Sequence, residues 1–201
     1  MNSSKIYHVK SGDRDAANIL TDFSFPWLNY PAPDTEFRAW HDGETFSFEF
    51  QVEDHDLVIS ESNDPYLKVL ESDRVELFFS PTTDLSEPYY GFEMDPRGLV
   101  YDYKGEFHRK FDPTWHLESL QTRGKLTPRG YQLEGSLPIS SLIELNLLRD
   151  RQMVTGVYRA EFSHKSDGTI QQDWISWIAP DTETPDFHIP DSFGQFVFED
   201  E

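Results

Sequence analysis

Between residues 45 and 53 the chain alternates without a break. Phe46, Phe48, Phe50 and Val52 take one parity, while Thr45, Ser47, Glu49, Gln51 and Glu53 take the other. A period of two gathers the apolar side chains on one face of an extended strand, whereas a helix scatters them around its axis. Such a strand belongs in an antiparallel sheet with one face on a core and the other among polar groups. Asp42-Gly43 lies just ahead and suits a tight turn, so with Phe37 to Trp40 upstream the segment predicts a hairpin.

The pattern recurs along the chain. Val75, Leu77 and Phe79 oppose Arg74, Glu76 and Phe78; Tyr90, Phe92 and Met94 alternate with Tyr89, Glu93 and Asp95. Pro96-Arg97-Gly98 turns the chain into Leu99, Tyr101 and Tyr103, and Pro128-Arg129-Gly130 leads into Tyr131, Leu133 and Leu137. Val154 to Phe162, Trp174 to Ile178 and Gln195 to Phe198 complete the expected strands, and only Ile139 to Leu148 reads as a short helical turn. Short strands punctuated by Gly, Pro and Asp predict an all-β fold, an antiparallel β-sandwich of the jelly-roll or immunoglobulin-like kind. Residues 1–201 contain no repeat, low-complexity tract or linker, which predicts one domain with a frayed acidic tail at Glu199-Asp200-Glu201.

Thirty-seven acids against 17 bases give a formal net charge of −20. A surface that acidic repels phosphate backbones and anionic lipid, so neither nucleic acid nor a membrane is expected as a partner. Neutral polyols and cations remain. The absence of cysteine excludes disulfides, thiolate metal sites and cysteine nucleophiles. Met1 to Lys10 carries no apolar stretch of signal-peptide type. The expected location is cytoplasmic if that start is native, and otherwise secreted or periplasmic with the signal removed. Asn2-Ser3-Ser4 has the form of a glycosylation acceptor, with nothing else to support one.

No Gly-rich phosphate loop, Gly-x-Ser-x-Gly elbow or His-Glu-x-x-His segment is present, and the seven histidines share no metal-ligand spacing. Small sandwiches rarely enclose the dry cleft that acid–base catalysis needs, so the expected function is binding, not turnover. Asp54-His55-Asp56, followed by Glu61, Asn63 and Asp64, collects hard oxygen donors of the type calcium prefers, without the spacing of an EF-hand loop.

A pyranose offers an apolar C–H face that lies on an aromatic ring and hydroxyls that seek carboxylates, amides and guanidinium groups. Two segments supply these. In Glu71 to Phe79 the alternation turns Arg74 and Glu76 away from the core, either as binding groups or as a surface ion couple. In Asp173 to Pro180, Trp174 and Trp177 differ in parity, so at least one of them is expected to face outward, with core packing the alternative for either.

These residues also resemble a known family. Asp73-x-Val75-Glu76-x-Phe78 is similar to the Asp-Ser-Val-Glu-x-Phe strand of the family 9 carbohydrate-binding modules. Tyr90-x-Phe92-Glu93 with Asp95 to Gly98, and Tyr131-x-x-Glu134-x-x-Leu137-Pro138, follow in the family's order. Tyr158-Arg159, Ser176-Trp177 and Phe187-His188-x-Pro190-x-x-Phe193-Gly194 resemble its C-terminal signatures. The resemblance implies a sandwich that binds saccharide, commonly at chain ends, between two rings. It implies that Glu76 accepts hydroxyl hydrogen bonds, Arg74 lies beside it, and Trp177 supplies one stacking face. Tyr66 stands where the family has its other tryptophan. It also implies structural calcium, which bears on Asp54 and Asp56, and a glycoside hydrolase as partner, here a separate protein. Three alternatives stay open: an interaction domain with a vestigial sugar site, a glycosidase, and a haem-binding sandwich with Met94 and His188 as axial ligands.

Overall fold

The alternating segment is strand β3, Thr45–Glu53, and its partner across the Asp42-Gly43 turn is β2, Thr35–His41. Gly43 occupies the left-handed region at φ 90°, which that tight turn requires. A computed structural model describes residues 5–200, so the Asn2 acceptor and Glu201 lie outside the described residues. The remaining strands are β1 (Ile6–Ser11), β4 (Arg74–Ser80), β5 (Tyr89–Met94), β6 (Val100–Glu106), β7 (Lys110–Asp112), β8 (Gln121–Thr127), β9 (Gly130–Pro138), β10 (Gln152–His164), β11 (Ile170–Ser176) and β12 (Gly194–Phe198). Two short helices, α1 (Pro65–Leu70) and α2 (Ile139–Glu144), interrupt them. Among the described residues no helix is long and apolar enough to cross a membrane.

The strands follow the path β7-β6-β5-β4-β10-β12-β1-β2-β3-β9-β8, with β11 pairing β10 beside it. Strand β1 is the joint. Its first residues pair with β12, and Lys10 and Ser11 pair with β2. Both pairings are parallel, which departs from the antiparallel pattern expected throughout. The β4–β5–β6 side thus packs face to face on the β2–β3–β9 side. Phe46 of β3 meets Phe79 of β4 with ring centroids 6.3 Å apart, and Val75, Leu77, Phe92 and Leu133 fill the same core. The result is the β-sandwich that the alternation predicts.

A second aromatic layer covers the outer face of β4, β5 and β10. Phe78, Tyr89, Tyr103, Tyr158, Phe187 and Phe193 form it. Two cross-strand pairs allow rings to lie flat there: Tyr89 opposite Gly105 and Tyr103 opposite Gly91. A Cβ on Gly91 would stand 2.3 Å from the Tyr103 ring, so only glycine admits that approach.

Some local expectations change. The tail is held where fraying was expected: Glu199 accepts from Lys10 Nζ at 2.5 Å and Asp200 pairs with Arg151. Helix α1 was not anticipated, although Asp64-Pro65 marks its start, with the Asp64 carboxylate accepting from Tyr66 N and Leu67 N. Strand β11 begins four residues before Trp174 and ends at Ser176, leaving Trp177 beyond it. Trp177 is only 2% exposed, lies in the main core and packs its ring 6.0 Å from Phe196. This corrects its assignment as a stacking platform, because the ring packs inside the main core and not along the pocket that holds Glu76 and Trp174. Trp177→Ala should therefore lower unfolding stability by about 3–5 kcal/mol. Urea denaturation measures this, and a loss under about 1 kcal/mol would contradict the core placement.

Candidate functional site

The residues that do come together lie on the outer face of β4, facing away from the main core. Register explains how. Glu76 sits opposite Glu93 of β5 on one side and Tyr158 of β10 on the other. Arg74 sits opposite Ala160, and Ala160 opposite Trp174 of β11. The small Ala160 leaves room for the guanidinium to reach across, so Arg74 Cζ stands 5.5 Å from the Trp174 ring centroid and 5.6 Å from that of Phe162. Trp174 meets Phe162 and Phe187 edge-on, which fixes its plane.

These side chains line a pocket of about 510 Å³, a size typical of small-molecule sites. Tyr101 and Phe111 form its opposite wall, and Arg109 and Asp186 stand at its edge. Tyr66 is 41% exposed and packs edge-on against Tyr101 at 5.4 Å, so it adjoins the pocket by way of that ring. Arg74, Glu76 and Trp174 thus share one pocket, Tyr66 adjoins it, and Trp177 lies outside it.

The floor is a buried charge cluster where the alternation allowed a surface ion couple. Arg74 Nε donates to Glu93 Oε2 at 2.6 Å and lies 3.0 Å from Glu76 Oε1. The second contact is poorly aligned, so among the described residues Glu76 Oε1 has no hydrogen-bond partner. Burial raises the Glu76 carboxyl well above its ordinary range, and the neighbouring Glu93 charge adds to the rise against Arg74. The Tyr103 hydroxyl beside it is also buried without a partner. Two polar groups at the pocket floor therefore await something to bond.

Arg109 adopts φ 59° at the tip of the β6–β7 hairpin, a costly geometry outside glycine. Asp186 clasps that tip, accepting from Arg109 Nη2 at 3.0 Å with His108 Nε2 at 2.7 Å. Burial pushes Asp186 upward, but the His188 backbone N–H and His108 outweigh it and hold the carboxylate low. His188 lies beneath, with Nδ1 2.8 Å from the Tyr89 hydroxyl and its ring 5.0 Å from Phe78. Burial and then the Arg109 charge push its pKa down to about 3. Met94 belongs to the main core on the far side of the sheet, so Met94 and His188 cannot grip one haem.

A second cluster lies at the end of the sandwich. Carboxylate oxygens of Asp54, Asp73 and Glu161 fall within 4.8 Å of one another. Asp73 accepts from Val58 N at 2.5 Å and Phe162 N at 2.6 Å, Glu161 pairs with Arg159, and Asp54 Oδ2 is buried without a partner. Burial raises Asp73, with Asp54 and Glu161 adding to it, and lifts Glu161 to about 7. Asp56 is not part of this group. It turns outward to His164, meeting Nδ1 at 2.8 Å, which corrects the pairing of Asp54 with Asp56. Asp73 and Glu161 were missed because their partners come from strands distant in sequence.

Known proteins place the fold. A family model described as carbohydrate family 9 binding domain-like matches residues 16–201. A Bacteroides uniformis ATCC 8492 protein proposed to bind carbohydrate superposes with a TM-score of 0.75 at 21% identity, over 98% of this chain and 100% of that one. A family 9 carbohydrate-binding module from Caldicellulosiruptor kristjanssonii, in complex with glucose, gives 0.62 at 17% identity over 98% and 97%. The structure of such a module from the same organism with cellotriose gives 0.61 at 16% over 98% and 95%. No curated protein matches the sequence.

The buried His188 has a direct consequence for stability. Its unfolded form takes up a proton near pH 6.5, whereas the folded form resists to about 3, so its contribution is complete above pH 6.5 and is lost as pH falls through that window. Between pH 6 and 4, His188→Gln should flatten the acid limb of the stability curve by up to about 1.4 kcal/mol per pH unit. Parallel limbs for the two proteins in denaturant titrations would show that His188 does not titrate this way.

Proposed function

The chain belongs to the carbohydrate family 9 binding domain-like family, and from that premise we propose that it is a non-catalytic module holding saccharide in the Glu76 pocket. The observation that carries this reading is the indole of Trp174 in one pocket with Glu76, whose Oε1 has no hydrogen-bond partner among the described residues, and with Arg74. The C–H face of a pyranose covers the free part of the Trp174 ring. The free Glu76 Oε1 can accept from a sugar hydroxyl. Arg74 and Arg109 offer N–H donors. Tyr101 and Phe111 close the other side, and Tyr66 extends the aromatic rim for a second sugar unit. The Caldicellulosiruptor modules bound to glucose and cellotriose make those two sugars the first probes.

Binding without turnover is supported by the carboxylates themselves. Glu76 and Glu93 are register partners that share one arginine on one wall. Glycoside hydrolysis needs two carboxyl groups on opposite sides of the scissile bond, about 5–10 Å apart. A glycoside hydrolase acting on the same polysaccharide is the proposed partner.

Calcium is the proposed structural ion. The fit rests on the orphaned Asp54 Oδ2 and on a cluster of three carboxylates, two buried and one half-buried, of which Asp54 and Glu161 face the single Arg159 guanidinium. Asp54, Asp73 and Glu161 would hold it, with the remaining oxygens of its coordination, about six to eight in all, from backbone or water. The ion would supply the missing positive charge there.

Two outcomes are expected. In calorimetric titration with cellotriose, Trp174→Ala should reduce affinity at least about tenfold, and Glu76→Gln about fivefold with an unchanged melting temperature. Absence of binding by the parent protein to every mono- and oligosaccharide tried would overturn the reading. Calcium at saturation should raise the melting temperature of a chelator-treated sample, and Asp73→Asn should abolish the increment. An equal rise in that variant would place the ion elsewhere.

A further inference from the structure

Glu49 projects from the outer face of β3, on the opposite side of the molecule from the Glu76 pocket, yet is only 1% exposed. Water normally serves polar groups on such a face, so burying a carboxylate there costs desolvation that partners must offset. Arg14 grips it with Nε at 2.8 Å and Nη2 at 2.7 Å. Gln51 and Gln132 then donate to it from Nε2, at 3.2 and 2.7 Å. A carboxylate held ionised by arginine only accepts, so both amides must point their NH₂ groups inward and turn their carbonyl oxygens away. Among the described residues neither amide oxygen accepts a hydrogen bond. The buried Glu49 carboxylate, held by the half-exposed Arg14, thus sets two acceptors side by side, in register across β3 and β9.

Both glutamines line a groove of about 1170 Å³, more than twice the volume of the Glu76 pocket. Its far wall carries Tyr30, 52% exposed, whose ring is braced edge-on by Phe25 at 5.2 Å. Asp34, Glu36 and Glu53 give the groove an acidic rim, with Arg129 alone against them. Fixed acceptors require a ligand rich in donors, and an open aromatic ring favours one with a C–H face. The acidic rim, on a chain of net charge −20, repels anions. We propose that this groove is a second saccharide site, taking several units of a neutral glycan chain. The groove runs around the end of the sandwich past Asp34, Glu53 and Arg129 and is lined by different residues from the Glu76 pocket, so one module could hold two chains.

The test is ¹⁵N NMR of the full chain titrated with cellohexaose, xylohexaose and mannohexaose. At least one glycan should shift the side-chain amide signals of Gln51 and Gln132, both in the parent and in Trp174→Ala. Tyr30→Ala should weaken that response about tenfold or more while leaving signals around Glu76 unaffected. If no glycan moves the two glutamines, the second site is wrong, and shifts near Glu76 in the same spectra show that the first stands without it. A response confined to a lysine-rich peptide would also overturn the proposal.

Discussion

Strand β4 is buried on both faces, and the rest of the molecule is arranged around that constraint. One face contributes Val75, Leu77 and Phe79 to the sandwich core, while Phe78 on the other joins the tyrosine layer. A two-sided strand in a parallel sheet can be apolar throughout. Here the outer positions at its start are Arg74 and Glu76, and they too are buried. Polar groups in such a place must find partners in neighbouring strands, which is why Glu93 on β5 takes the Arg74 guanidinium at 2.6 Å. Tyrosines flattened over Gly91 and Gly105 then make the surroundings of that cluster stiff. Its rigidity follows from the covering of the sheet, not from the ions, since buried ion pairs contribute little net stability.

Three buried carboxylate centres meet the same electrostatic demand in different ways. At Glu49 the balance is one guanidinium to one carboxylate. Burial raises its pKa, but Arg14 and the glutamines outweigh that and hold it below the ordinary range. At Glu76 two carboxylates share Arg74, and burial together with the surplus charge raises the Glu76 carboxyl. At Asp73 three carboxylates cluster with Arg159 beside two of them, a larger surplus, and Asp73 and Glu161 are both raised. Counting charges against carboxyl groups thus separates a balanced structural pair from two centres with capacity left for a ligand. Such capacity is a feature of functional sites, because a centre already satisfied has nothing further to gain.

Alternation made most of this fold legible before any coordinates. Strands β2 to β6 and β9 to β10 announce themselves through period-two apolar residues, and parity correctly set Arg74 and Glu76 apart from Val75 and Leu77. Parity could not say that the polar side would be roofed by Phe187 and Phe193, which arrive from a distant loop. The two tryptophans show the limit most clearly. Trp174 and Trp177 were separable by parity, but which faced inward depended on where β11 ended, and nothing local marks Ser176 as its last residue. Similarly, Asp54 and Asp56 looked equivalent in sequence. One lies inside the sandwich end and the other pairs with His164, a choice made by strand β10 more than a hundred residues away.

Rigidity matters most where each individual bond is weak. A sugar hydroxyl entering either proposed site leaves water behind, so each new hydrogen bond nets only about 1 kcal/mol. Ordering a loose side chain costs about as much, roughly 0.5–1.5 kcal/mol, and would cancel the gain. A site built from mobile glutamines or an unbraced tryptophan would therefore hold almost nothing. Phe162 and Phe187 fix Trp174, and Arg14 through Glu49 fixes Gln51 and Gln132, so that cost has been met during folding. The buried charges earn their place by this route: they add little to the stability of the sandwich, and they hold in advance the few groups on which weak recognition depends.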